Sequence, residues 1–233
     1  MISLIKYNWK IYLRSHKYIL PILILIVNMV VTYTVRPIDI TGTFMFSSCL
    51  LFFVMSWMGY TYFDADKNTS EEILILKAKN YTYYLLSKIL MLQFLGLLLS
   101  LFSTIIGITF GGFLYPLTIV DIVSILIIHI VFSNIGVVFG MFFQPRIISN
   151  TKTSRLLIFL LIIVSIFKEQ IIKEVAFLKF IIWVLPPINM FTEIFLHLHH
   201  FSLIKLLVPI ITITVYTIFE AIILVTIMKK RLY

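Results

Sequence analysis

The sequence predicts an all-α membrane protein with six transmembrane helices, and three observations lead to that prediction. Hydrophobic residues make up 61% of the 233 residues and charged residues only 12%, about half the charged share of a soluble domain. The apolar residues are grouped in long runs, and a spanning helix needs about 20 of them, which leaves room for roughly six spans. Backbone groups in lipid must be paired within the segment, so apolar runs of this length favour helices.

Residues 1–17 predict an amphipathic elbow helix that lies at the membrane surface. Apolar side chains recur at helical spacing at Ile2, Ile5, Trp9 and Leu13, and a basic stripe is formed by Lys6, Lys10, Arg14 and Lys17. Such a helix places its apolar face in the acyl boundary and its basic face toward anionic headgroups. A plain positive-inside anchor is the alternative, and both interpretations place the N-terminus in the cytoplasm.

The predicted spans cover residues 18–35, 43–63, 84–110, 122–143, 156–167 and 206–228. The first run is longer than a signal-peptide core, and Arg36–Pro37 follows it instead of a small-residue cleavage site, so we expect it to be retained. With six spans, fourteen of the 19 Lys and Arg residues lie in cytoplasmic segments and the other five lie outside. This bias predicts that both termini are cytoplasmic.

Residues 168–205 interrupt the pattern of spans. Only 12 uninterrupted apolar residues, 156–167, precede Lys168 and Glu169, and Pro186–Pro187 break the next apolar stretch. A seventh span here would export the basic C-terminus against the charge rule. We therefore predict one or two short re-entrant or interfacial helices at the outer face, broken by the prolines.

Several classes of function are disfavoured by motifs that the sequence lacks. It contains no P-loop, HExxH or GxSxG motif, and Glu71–Glu72 is followed by Leu76 where an EExxxR protease requires arginine. Cys49 is the sole cysteine. The net charge of +9 is explained by membrane topology, so no nucleic-acid partner is expected. A zinc or copper site at His197, His199 and His200 is less favoured than a solvated or interfacial loop, and no metal is predicted.

Glu220 is the main candidate for a pathway or gating group, because it lies inside the last predicted span. An ionisable side chain at that depth faces protein or water rather than lipid. The alternative is a protonated carboxyl that hydrogen-bonds to a neighbouring helix. His129, Asn134 and Gln93 are weaker candidates of the same kind, since interhelical hydrogen bonds explain them equally well.

The segment 64–88 is the one long charged stretch between apolar runs. It combines the acidic Glu71 and Glu72, the apolar run 73–76, and the basic Lys77, Lys79 and Lys88. Acidic residues at the start and basic residues at the end favour a short helix, because each group lies near the end of the helix dipole that has the opposite sign. An apolar patch with charges around it predicts a protein partner, although an ordinary solvated loop remains the alternative.

These features resemble the permease subunits of type-2 ABC transporters, which have six spans, an N-terminal elbow helix and no ATPase of their own. In that family the loop between spans two and three carries an acidic residue, an apolar pair, a turn and a lysine that starts span three. The matching residues here are Glu72, Leu74, Leu76, Asn80–Tyr81 and Lys88. The proline-containing segment 185–189 is similar to the family's outer segment. Lys77–Ala78–Lys79 departs from the pattern where a proline is common, so the coupling-helix boundary stays open.

The resemblance implies a single permease domain over residues 1–233, with a coupling loop at 64–88 and an outer re-entrant segment at 168–205. It implies that ATP and Mg bind a separate ATPase subunit, with no cofactor on this chain, and that a second identical or homologous permease completes the pathway. The implied coupling residues are Glu71, Glu72, Leu74, Leu76, Lys77, Lys79 and Lys88. The small size resembles Gram-positive peptide and bacteriocin exporters, including phenol-soluble modulin exporters.

The expected function is therefore export of amphipathic or antimicrobial-type peptides, or of a lipid-like cargo, across a bacterial plasma membrane. The lack of an ATPase motif predicts that the chain itself is not an enzyme. A non-transporting membrane scaffold or immunity protein is the alternative. An intramembrane enzyme that uses Glu220 or the histidines is a third and weaker hypothesis.

Overall fold

The computed structural model describes residues 2–63, 74–75, 78, 80–195 and 198–230, and over these residues the chain is helical apart from turns, loops and one isolated bridge. The helices are α1 (Ile2–Ser15), α2 (Ile19–Thr34), α3 (Ile40–Tyr62), α4 (Tyr81–Phe110), α5 (Ile119–Met141), α6 (Thr151–Ile166), α7 (Lys168–Glu174), α8 (Lys179–Ile182), α9 (Asn189–Phe195) and α10 (Leu203–Lys230). A short 3-10 helix at Ala176–Leu178 precedes α8.

Four helices in the described ranges are long and apolar enough to cross a membrane, namely α3, α4, α5 and α10. Helices α1 and α2 meet the same criterion only as a pair, which bends by 75° at the break between them. The described residues thus contain four or five candidate spans by length and composition, as a multi-pass membrane protein would. Helix α6 has 16 residues, fewer than the roughly 20 that a span needs, so the six-span layout stays a prediction.

Polar caps set where the long helices begin. Asp39 accepts a hydrogen bond from the Gly42 amide at the start of α3, and Asn80 accepts one from the Thr82 amide at the start of α4. Each helix consequently starts three residues before the predicted apolar run, at residue 40 instead of 43 and at 81 instead of 84. The side-chain acceptors satisfy amides that the first turn leaves without a helical partner.

The centre of the bundle is the contact between α3 and α5, where the two backbones touch. A Cβ atom added to Gly59 would lie 2.5 Å from the carbonyl oxygen of Val137, and one added to Gly140 would overlap the carbonyl oxygen of Ser56. Small residues allow membrane helices to approach this closely. The absence of side chains at these two positions therefore fixes the spacing of α3 and α5.

Three connections meet at one end of the bundle. Ile38 donates its amide to the Gly112 carbonyl at 3.0 Å and accepts from the Leu114 amide at 3.0 Å. The Thr41 hydroxyl, at the start of α3, donates to the Leu198 carbonyl. All three connections were predicted to lie on the outer side, and they do share one end. The membrane side that this end faces stays a prediction.

Residues 168–195 do not form one continuous helix, and part of this segment reaches into the bundle. Pro186 and Pro187 separate α8 from α9, and the Phe191 ring in α9 lies 5.3 Å from that of Phe132, near the middle of α5. The Tyr216 hydroxyl, near the middle of α10, donates to the Val184 carbonyl. Broken helices that pack inside protein are compatible with membrane depth, because neighbouring groups satisfy their backbone.

Candidate functional site

The predicted coupling segment lies only partly within the described residues. Glu71, Glu72, Leu76, Lys77 and Lys79 fall outside them. Leu74 is buried, with 7% of its surface exposed, and belongs to the apolar cluster that also contains Tyr12, Tyr84 and Met228. One of the two apolar residues assigned to the loop is thus packed against the bundle.

Lys88 lies inside α4, two turns after the helix begins, and is fully buried. Its Nζ is 4.4 Å from the ring centroid of Tyr84, 4.6 Å from that of Phe63 and 5.3 Å from that of Tyr62. An ammonium group over aromatic faces is attracted by their electron density. The lysine therefore ties the start of α4 to the end of α3, directly at the two ends of the 64–80 segment.

Helix α1 contacts both sides of this segment. Asn8 donates to the Ser87 hydroxyl at 2.9 Å, and the Tyr12 ring lies 5.3 Å from that of Tyr62. Asn8 and Tyr12 are buried, whereas Ile2 is 72% exposed. The face of α1 that packs on the bundle is thus centred on Asn8 and Tyr12, one position away from the predicted Ile2–Ile5–Trp9–Leu13 stripe.

At the opposite end of the bundle, buried Asp121 organises the connections. Its carboxylate accepts hydrogen bonds from the Thr118 amide and hydroxyl, at 2.9 and 2.6 Å, and from the Phe201 amide at 2.8 Å. His200 Nδ1 lies 2.9 Å from the same carboxylate. The Thr118–Asp121 pair is a capping box that starts α5 and also anchors the loop before α10.

The histidines of this loop are therefore partly accounted for by protein contacts. His200 faces Asp121, and His199 Nδ1 is 3.8 Å from the exposed Asp39 carboxylate. His197 lies outside the described residues. Within the described ranges, no three histidine, cysteine or carboxylate side chains are arranged to hold a metal ion.

His129 is fully buried between three helices. Its Nε2 lies 2.8 Å from the Ser47 hydroxyl of α3, and its Nδ1 lies 2.8 Å from the Thr104 hydroxyl of α4. Both hydroxyls also bond to backbone carbonyls one turn earlier in their own helices. Interhelical hydrogen bonding thus accounts for His129. Gln93 and Asn134 are half-buried, and no hydrogen bond between described residues joins either of them to His129 or Glu220.

Replacing His129 by leucine is expected to lower stability by no more than about 1 kcal/mol, because Ser47 and Thr104 keep their carbonyl partners. His129→Ala should cost about 3 kcal/mol, since it also leaves a cavity. Thermal unfolding in detergent measures both changes. If His129 were a pathway group instead, His129→Leu would abolish transport while leaving the unfolding temperature close to that of the wild type.

Glu220 lies in α10 beside a cavity of about 300 Å³ that is bounded by the end of α5 and by residues 183–185. Only 7% of the Glu220 side chain is exposed. The other residues around the cavity are mainly apolar or aromatic, among them Phe139, Phe143, Trp183 and Phe219. The structure thus places this predicted pathway residue at a cavity.

Sequence reasoning missed two features of these sites. Asp121 follows Thr118 by three residues at the start of an apolar run, which is the pattern of a capping box. Gly136 and Gly140 form a small-xxx-small pair, which is typical of close helix packing in membranes. Both signals were present in the sequence, but neither identifies its distant partner.

Comparisons of the chain with protein-family models, with curated proteins and with solved structures found no match. The fold and the contacts of its own residues therefore carry the functional argument for this protein.

Proposed function

We propose that the chain is the membrane permease subunit of an ATP-driven ABC exporter. A separate ATPase subunit binds ATP and Mg and docks on the cytoplasmic segment 64–80. A second permease, identical or homologous, completes the pathway, and the cargo is an amphipathic or antimicrobial-type peptide that leaves a bacterial cell. Six spans with both termini in the cytoplasm form part of this proposal.

The observation that supports it best is the set of contacts on both sides of segment 64–80. Tyr62, before the segment, packs on Tyr12 of α1, and Ser87, after it, accepts a hydrogen bond from Asn8 of α1. Lys88 joins the same two helix ends through aromatic contacts. Because these ends are held together, a push on the segment would move α1, α3 and α4 as a unit, as an ATP-driven conformational change requires.

Reversing the charge of Glu72 tests the proposed docking. A tagged chain should co-purify with a P-loop ATPase encoded in a neighbouring reading frame, and Glu72→Arg should reduce the recovered ATPase about tenfold, a loss of about 1.4 kcal/mol of binding free energy. The control is Glu174→Arg, which makes the same charge change at an exposed position in α7.

Two outcomes would contradict the proposal. One is that no ATPase accompanies the tagged wild-type chain, which would favour a non-transporting scaffold or immunity protein. The other is that the Glu72→Arg and Glu174→Arg chains recover equal amounts of ATPase, and that the two recovered complexes hydrolyse ATP at equal rates. Conversely, ATP-dependent movement of an amphipathic peptide into inverted vesicles would rule out the scaffold function.

A further inference from the structure

The cavity beside Glu220 has an unusual balance of charge and polarity. Its lining is mainly aromatic and aliphatic, and Glu220 is the acidic side chain that borders it. One Glu220 carboxyl oxygen, Oε2, is buried and has no hydrogen-bond partner among the described residues. A buried carboxylate without compensation costs several kcal/mol, so this arrangement favours a group that supplies positive charge or a proton.

The neighbouring polar groups do not supply a positive charge to Glu220. The Tyr216 hydroxyl, one turn before Glu220, donates to the Val184 carbonyl and also lies within hydrogen-bonding reach of the Glu220 carboxyl, but a phenol is neutral. Lys168 contacts the backbone of the lining residue Leu185, since its Nζ donates to the Leu185 carbonyl at 3.2 Å, and the acidic side chain that interacts with its charge is Glu193. Neither group therefore supplies the missing positive partner of Glu220.

The exposure of the lining shows where the cavity opens. Phe139 and Phe143 on α5 are only 5% and 7% exposed, whereas Trp183 is 68% and Phe219 is 60% exposed. The two exposed aromatic residues form the side that faces away from the bundle. In a membrane this side meets lipid chains, so a ligand can reach Glu220 from the bilayer. Its apolar part would then lie between Trp183 and Phe219.

We propose that this cavity binds the cationic group of an amphipathic molecule, with an ammonium ion paired to Glu220 and an apolar portion held between Trp183 and Phe219. A charged hydrogen bond from an ammonium to a buried carboxylate is stronger than a neutral one, and the surrounding aromatic faces also attract cations. A volume of about 300 Å³ suits a lysine-like amine with a short apolar segment. As a cargo site this rests on the proposed export function, but the binding itself does not.

Fluorescence of Trp183 can test the binding directly. The protein has three tryptophans, Trp9, Trp57 and Trp183, so the full chain with Trp9→Phe and Trp57→Phe reports from the cavity alone. In phosphatidylcholine nanodiscs, 11,12-dibromododecylamine should quench Trp183 at a bilayer mole fraction about tenfold lower than 11,12-dibromododecanol does. Glu220→Gln should remove this difference, whereas Glu169→Gln, a carboxylate that pairs with Lys173 outside the cavity, should preserve it.

A second variant provides an independent test in case Glu220→Gln does not fold. Ile223→Lys places a tethered ammonium on the cavity lining, one turn after Glu220, and should also remove the preference for the amine. Equal quenching by the amine and the alcohol in the wild-type cavity would overturn the proposal and identify a lipid-filled groove. A preference for the amine that survives both variants would overturn it as well.

The binding assay contains no ATPase, so its failure is separate from failure of the export function. If amine selectivity is absent while Glu72→Arg still disrupts ATPase docking, the exporter stands and its cargo site lies elsewhere, which overturns the cavity assignment. If selectivity is present but no ATPase co-purifies, the cavity assignment stands as a ligand site in a protein that does not use ATP.

Discussion

Gly140→Ala is expected to lower the stability of the helix bundle by about 3 kcal/mol, at the upper end of the usual cost of overpacking. The added methyl group would overlap the carbonyl of Ser56, a backbone group of α3 that cannot turn aside as a flexible side chain would. Alanine is the better helix former by about 1 kcal/mol, which offsets only part of the loss. Helices α3 and α5 must separate, and the packing of the bundle centre changes with them.

Thermal unfolding of the purified protein in detergent measures this effect, and Gly42→Ala provides a matched control. Gly42 lies in the first turn of α3, where an added Cβ would meet only the Asp39 side chain, at 3.3 Å. Gly42→Ala should therefore leave the unfolding temperature almost unchanged. Equal unfolding temperatures for the two variants would show that α3 and α5 do not touch through their backbones at Gly140.

The second large effect is expected for Asp121→Ala, which should destabilise the loop before α10 by about 3 kcal/mol. The substitution removes the shared acceptor of the Thr118 and Phe201 amides and of His200. Buried donors that lose a charged partner each cost about 1–3 kcal/mol, and part of this cost is relieved when water reaches the loosened loop. Residues 198–202 should consequently become accessible to proteases.

Asp39→Ala is the matched comparison, because Asp39 also caps a helix and faces a histidine of the same loop. Its carboxylate is 40% exposed, and His199 lies 3.8 Å away. Loss of an N-cap costs about 1 kcal/mol, so Asp39→Ala should shift the unfolding temperature less than Asp121→Ala does. Limited proteolysis distinguishes the two variants, and equal cleavage at 198–202 would argue against Asp121 as the anchor of the loop.

The all-helical class and the positions of the longest helices were predictable from the sequence because they depend on local composition. The runs 43–63, 84–110, 122–143 and 206–228 correspond to α3, α4, α5 and α10. Hydropathy placed their starts too late, since the caps and first turns are polar or small. A search for capping residues before each run, such as Asp39 and Asn80, corrects these boundaries.

The rest of the architecture depends on partners far away in the chain. Asn8 packs inward because Ser87 receives its hydrogen bond, and 79 residues separate the two. Hydrophobic periodicity therefore predicted a helix in this segment, but it did not show that Asn8 and Tyr12 are its buried residues. In the same way, Glu220 was recognised as a buried carboxyl, but its cavity is formed by Phe139 and Trp183, which no local pattern connects to it.

The contacts of α1 can form only after later parts of the chain have been synthesised. During synthesis the ribosome produces α1 first, but its partners Tyr62, Ser87 and Phe94 follow much later. Tyr12 gains its contact with Tyr62 only when α3 is in place, and Asn8 gains its hydrogen bond to Ser87 only when α4 is in place. The exposed Lys6, Lys10 and Arg14 can hold the nascent helix at anionic headgroups during this interval. We therefore expect the basic stripe to matter most for α1 before its contacts with α3 and α4 have formed.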